Sequence, residues 1–151
     1  MLEDPRPKAD AAGVGEVPRL IALPLFRNDL GTLGVAEFAQ DLGFAPQRMY
    51  FLRDVPRGAE RGVHAHRRLR QCMLCLNGAV TIELEKAQRQ WVFRLDRPEQ
   101  ALLVPPGCWR VLRDFTPEAV VAVLASEPYD PEDYIYTYAE FRAWEAARRR
   151  R

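Results

Sequence analysis

Histidine is scarce in this chain: among 151 residues only His64 and His66 occur, so imidazole chemistry is confined to one place. Long apolar runs are absent. No stretch approaches the roughly 18 residues a membrane-spanning helix requires, and no membrane association is expected. Charge of one sign is lacking as well. The 22 Lys+Arg against 21 Asp+Glu leave a net charge of +1, whereas a dedicated nucleic-acid binder carries a strongly basic face, so no nucleic-acid partner is expected. There is no internal repeat, no Gly-rich phosphate loop, no GxSxG and no HExxH, which excludes the nucleotide-loop, hydrolase-elbow and zinc-helix chemistries that those motifs carry. Cysteine is sparse and odd in number, with three, which suits a reduced, cytoplasmic compartment. Cys72 and Cys75 have CxxC spacing. In an extended QCMLCL segment, positions three apart point to opposite faces, so they read as buried thiols and not as a shared ligand site.

The composition, 48% hydrophobic and 28% charged, is that of one ordinary globular domain. The start, MLEDPRPKADAAGVGEVP, has no apolar core behind its charges and is no secretory signal. Its Pro, Gly and charge content predicts a loose arm over 1–18, followed by a folded domain over 19–147 and a basic tail over 148–151. Short apolar segments then recur at 19–26, 32–38, 48–54, 71–78, 79–85, 90–95, 101–106, 109–115 and 119–126. Breakers divide most of them, and Asn77-Gly78 between two strand-like runs is a tight-turn signal because both residues tolerate positive φ. This pattern predicts an all-β sandwich or barrel of the jelly-roll kind.

Only the end of the chain reads as helix. Asp130 suits an N-cap, Pro131 the first helical position, and Glu132 with Asp133 the positive end of the helix dipole. Tyr134, Tyr138, Phe141 and Trp144 follow at helical spacing and form one aromatic stripe, better read as a face packed on the barrel than as a ligand platform.

The chemistry therefore falls to RGVHAHRRLRQ. In an extended strand His64 and His66 share a face, where two imidazoles can act as metal ligands or as an acid/base pair. The spacing around them resembles the first motif of the cupin superfamily: Gly58, five residues, His64-Ala65-His66, four residues, Gln71, six residues, Gly78. Gln71 stands where metal-binding cupins carry Glu. Pro105 to Gly107 followed by Arg110 resembles the second motif, with Arg110 in place of its ligating His, Glu99 in place of Gly and Asp114 in place of Asn. The resemblance implies a cupin-type jelly-roll barrel with a C-terminal α-helix and a cavity at its mouth. A guanidinium cannot ligate a cation and repels one at short range, so no metal and no cofactor are expected.

Arg61-Gly62-Val63-His64-Ala65-His66, Gln71 and Cys75-Leu76-Asn77-Gly78 further resemble the nucleotide-sugar 3,4-ketoisomerases, including the ketoisomerase domain of WxcM-like proteins. Pro105, Trp109, Leu124-Ala125-Ser126, Tyr129-Asp130 and Asp133-Tyr134-Ile135 extend the likeness from about Leu20 to Trp144. The resemblance implies a dTDP-linked 4-keto-6-deoxy sugar as substrate, with His64 as base at carbon and His66 relaying the proton between O3 and O4. Tyr50 would be a third catalytic residue. Arg48 or Arg61 would hold phosphate, Gln71 would orient a histidine or the substrate, Trp109 would stack on a ring or plug the barrel, and Arg110 would stabilise a negative oxygen. Arg48, Arg61, Gln71 and Trp109 also admit purely structural readings. Leu30 and Tyr136 depart from the family, which often has Arg at both places. Arg110 resembles the branch that retains configuration at C4 and yields the 3-keto-6-deoxy-glucose product, with the galacto epimer as the alternative. A homodimer exchanging N-terminal strands from 20–26 or 32–38 is implied as well. A non-catalytic cupin module that binds a nucleotide sugar remains the alternative.

Overall fold

The short apolar segments between breakers form the strands, and a computed structural model describes residues 17–151. The arm expected over 1–18 lies, except for its last two residues, outside that range. The strands are β1 (Arg19–Ala22), β2 (Leu25–Asn28), β3 (Gly31–Gly34), β4 (Arg48–Leu52), β5 (Arg61–His66), β6 (Gln71–Asn77), β7 (Val80–Lys86), β8 (Arg89–Leu95), β9 (Gln100–Val104), β10 (Trp109–Arg113), β11 (Val120–Ala125) and β12 (Tyr134–Ile135), followed by helix α1 (Tyr138–Arg149). The segment expected over 19–26 is split at Pro24, which lacks the N–H a continuous ladder needs.

Two five-stranded sheets, in the orders β1-β9-β6-β11-β4 and β12-β5-β10-β7-β8, face one another, and β2 and β3 form a separate hairpin. All strand pairs are antiparallel. This is the cupin-type jelly-roll barrel with a C-terminal helix. Inward residues of both sheets, among them Met73, Val80, Ile82, Leu102, Leu112 and Val121, make the main core. Cys75 belongs to it, whereas Cys72 packs on the outer face of the same strand with Leu42 and Leu103. The two thiols thus face opposite ways, as alternation requires.

The Asn77-Gly78 turn is tightly built. Gly78 has φ +67°, and a Cβ there would stand 2.3 Å from the Thr116 hydroxyl and 2.9 Å from the Ala119 backbone. That packing accepts only glycine.

The helix begins later than the capping residues predicted. The Asp130 side chain does cap, accepting from the Glu132 N–H, but it caps only a short 3-10 turn over Pro131–Asp133. Tyr134 and Ile135 then extend and pair with His66 and Ala65. Helix α1 starts at Tyr138, with the Thr137 hydroxyl accepting from the Glu140 N–H. Tyr134 therefore leaves the predicted stripe, while Phe141 is fully buried against Ala65 and Ile135. The helix runs through the first half of the expected basic tail. Arg149 pairs with Glu145 at 3.1 Å and Arg148 lies over the Trp144 ring at 4.9 Å.

Candidate active site

β5 carries both histidines and is bent where they need to be turned. Between the pairs Arg110–His64 and Leu112–Arg61 the register slips by one residue, the signature of a bulge. Gly62 occupies it at φ +63°, a region that favours glycine. A Cβ on Gly62 would lie 3.2 Å from Leu112 and 3.4 Å from Arg110 Nε. The bulge thus brings His64 opposite Arg110 and leaves room for the guanidinium.

The result is a contiguous polar network in the barrel mouth. His64 Nε2 lies 3.1 Å from His66 Nε2 and 2.7 Å from Arg110 Nη2. His66 Nδ1 donates to Asp133 Oδ2 at 2.9 Å, and the Arg68 backbone N–H donates to Asp133 Oδ1 at 2.7 Å. His66 and Asp133 are buried at 4% and 3% exposure, so the carboxylate fixes the His66 proton on Nδ1 and leaves a lone pair on Nε2. Arg110 donates to Gln71 Oε1 and, at 3.2 Å, to the Tyr50 hydroxyl. Gln71 Nε2 donates to that same hydroxyl at 3.0 Å. Both lone pairs of Tyr50 are then occupied, and its own O–H remains as a donor.

Because Arg110 donates to His64 Nε2, the two facing imidazole nitrogens both present lone pairs at a separation that fits one proton. Burial, then the Arg110 cation, then His66 hold the His64 pKa down from 6.5 to about 2. Burial, Arg110 and Arg48 hold His66 down to about 3. Both imidazoles rest neutral, able to receive a proton and not to give one.

A cavity of about 200 Å³ opens on this network. His64, Tyr50, Arg48, Arg61, Arg110 and Tyr134 contribute to its wall. The Nε donors of Arg48 and Arg110 are buried without a partner among the described residues. The sequence-predicted residues do not all reach this cavity. His66 stands behind His64, and Gln71, at 1% exposure, lies beneath Arg110 and acts on that side chain and on Tyr50. Trp109 is on the other side of the sheet. Strand alternation sends it away from Arg110 and under α1, with its ring 5.7 Å from Phe141 and 5.6 Å from Tyr138. It does not line this cavity.

Two residues escaped the sequence reading of the site. The capping pattern points Asp133 to the helix dipole, and the aromatic spacing points Tyr134 to the stripe. Tyr134 packs on both imidazoles, 4.9 Å from His64 and 4.4 Å from His66. The available signal was Pro131 followed by a β-favouring Tyr-Ile pair, which breaks the continuity of a helix. The donor set does not fit a cation: Arg110 occupies the fourth corner, engages the Gln71 oxygen and donates to His64.

The family described as FdtA: WxcM-like, C-terminal matches residues 16–146. TDP-4-oxo-6-deoxy-alpha-D-glucose-3,4-oxoisomerase of Aneurinibacillus thermoaerophilus is 35% identical over 114 residues, which cover 76% of this chain and 82% of that protein. The crystal structure of QdtA, a sugar 3,4-ketoisomerase from Thermoanaerobacterium thermosaccharolyticum in complex with TDP, superposes with a TM-score of 0.84 at 34% identity, covering 88% of this chain and 97% of that one. A variant of QdtA with one histidine replaced by asparagine, solved with TDP-4-keto-6-deoxyglucose, matches at 33% identity and TM-score 0.84, covering 88% and 96%. Neutral imidazoles beside an arginine in a barrel mouth are thus matched by a likeness spanning nearly the whole chain, and the chain belongs to the WxcM-like, C-terminal family.

Proposed function

We propose that the protein is a dTDP-4-keto-6-deoxy-D-glucose 3,4-ketoisomerase that works by histidine acid/base chemistry through an enediolate. The observation that carries this reading is the chain Arg110–His64–His66–Asp133, with facing imidazole nitrogens 3.1 Å apart. Moving a ketone from C4 to C3 requires loss of the C3 proton, return of a proton at C4, and passage of the O3 hydroxyl proton to O4. Tyr50 relays the last by giving its O–H proton to O4 and taking the one O3 releases. His64, in the cavity wall, takes the carbon-bound proton. His66, backed by Asp133, shares it through Nε2 and so acts through His64 instead of touching O3 and O4 directly. Arg110 and the free O–H of Tyr50 stabilise the enediolate oxygen. The sugar diphosphate lies against Arg48 and Arg61, and its negative charge offsets the cations that depress both imidazoles, raising their basicity once substrate is bound.

Arg110, in the place of a second acid, resembles the branch that gives the gluco product. H3 and H4 of a gluco sugar lie on opposite ring faces, so the proton reaches C4 from the face opposite to the one from which His64 takes it. The product of this reading is dTDP-3-keto-6-deoxy-D-glucose with C4 configuration retained, a precursor of 3-amino-3,6-dideoxy sugars. The β2–β3 hairpin supports an exchanged-strand homodimer: Leu30 at its tip is 96% exposed and Leu33 61%. Apolar side chains displayed this way are covered by a second copy. The reduced thiols accord with a cytoplasmic enzyme.

The test is incubation with dTDP-4-keto-6-deoxy-D-glucose and identification of the product by NMR. Appearance of the 3-keto sugar supports the proposal. Tight binding without conversion or solvent exchange would favour a nucleotide-sugar-binding module.

A further inference from the structure

A second cleft, about 360 Å³, lies between α1 and the β9–β10 turn, away from the histidine cavity. Five of its lining residues are cationic, Arg67, Arg70, Lys86, Arg148 and Arg149, against one carboxylate, Glu145. That concentration is notable in a chain of net charge +1. Glu145 is already engaged, accepting from the Ala87 N–H and from Arg142 and Arg149. Arg67 pairs with Glu140 at 2.9 Å. Neither Arg70 nor Arg148 is in an ion pair with a described acidic residue, so the cleft keeps an uncompensated positive field.

Its floor is rigid. Gly107 has φ +75°, and a Cβ there would touch the Trp144 ring at 3.2 Å and come within 4.0 Å of Lys86. The cleft also abuts the back of the catalytic network. Arg67 and Arg70 directly follow His66 and precede Gln71 in the chain, and the Gly107 N–H donates to the His66 carbonyl at 2.8 Å.

We propose that this cleft is a second anion site, for a phosphorylated small molecule, distinct from the substrate cavity. Arg70 and Arg148 supply the charge that selects phosphate, and the occupant is felt at Gly107 and hence at the backbone of His66.

The test is amide and indole NMR titration of the full-length protein with inorganic pyrophosphate. The expected result is saturable movement of the Gly107 amide and the Trp144 indole, retained in Arg48→Ala/Arg61→Ala and weakened at least tenfold in Arg70→Glu/Arg148→Glu. Arg70 and Arg148 are exposed, and thermal melting checks that the double variant is folded. The proposal is overturned if only substrate-cavity signals move, if sodium chloride of equal ionic strength gives the same shifts, or if the charge-reversed protein binds equally well. Because pyrophosphate binding is read without turnover, failure of the isomerase reading leaves this outcome unaffected.

Discussion

Replacing Arg110 by glutamine separates the two effects assigned to it. Arg110 donates to His64 at 2.7 Å, to Tyr50 at 3.2 Å and to Gln71, and its charge is the second cause, after burial, of the low pKa values of both histidines. Loss of a preorganised donor at a developing oxyanion costs about 10²–10³-fold in kcat. Loss of the like charge raises the imidazole pKa values by about one to two pH units. A histidine is a competent base only when neutral, above its pKa. Native kcat/KM, which reports the free enzyme, should therefore show no acid limb near pH 6.5, the ordinary histidine value, because His64 is held at about 2 and His66 at about 3. In Arg110→Gln an acid limb should enter the accessible range from below. The assay is kcat/KM between about pH 4.5 and 9, with folding followed by circular dichroism. A native limb near 6.5, or a variant with native kcat and an unmoved profile, would refute the reasoning.

Asp133→Asn removes the acceptor that fixes the His66 tautomer and should lower kcat by about 10²–10⁴-fold with KM within a few-fold, checked by steady-state kinetics. Trp109→Ala should cost about 2 kcal/mol in chemical denaturation, since the ring packs under α1, while KM stays native. Deleting the chain before Thr32 removes β1 and β2 and should lower both the melting temperature and the dimer fraction in sedimentation; an unchanged dimer would contradict strand exchange.

Much of the barrel is legible because short apolar segments recur between strong breakers, even though β6, β9 and β11 are buried almost continuously and do not alternate. The region where reading failed is 130–136. Asp130 and Pro131 carry valid capping chemistry, but those rules fix only the first turn and say nothing of how far a helix continues. Continuation was decided by tertiary pairing of Tyr134 and Ile135 with β5, which also delivers Asp133 to His66. Alternation alone puts His64 and His66 on one face of their strand, whereas Tyr50 and Arg110 enter the site reading through the family resemblance. Trp109 neighbours Arg110 on β10, so the period of the strand turns it away from the side that carries the guanidinium, which the family motif does not reveal. Gly62 gave no local sign of its bulge, since the register slip depends on β10.

The central claim is that His64 moves a carbon-bound proton while the nucleotide is held elsewhere. The most direct measurement is deuterium incorporation at C3 and C4 of the ketosugar in heavy water, for the native protein and His64→Asn, alongside calorimetric TDP binding. Exchange is expected in the native protein and none in His64→Asn, with TDP affinity within a few-fold in both. Undiminished exchange in His64→Asn, or no exchange in the native protein, would contradict it.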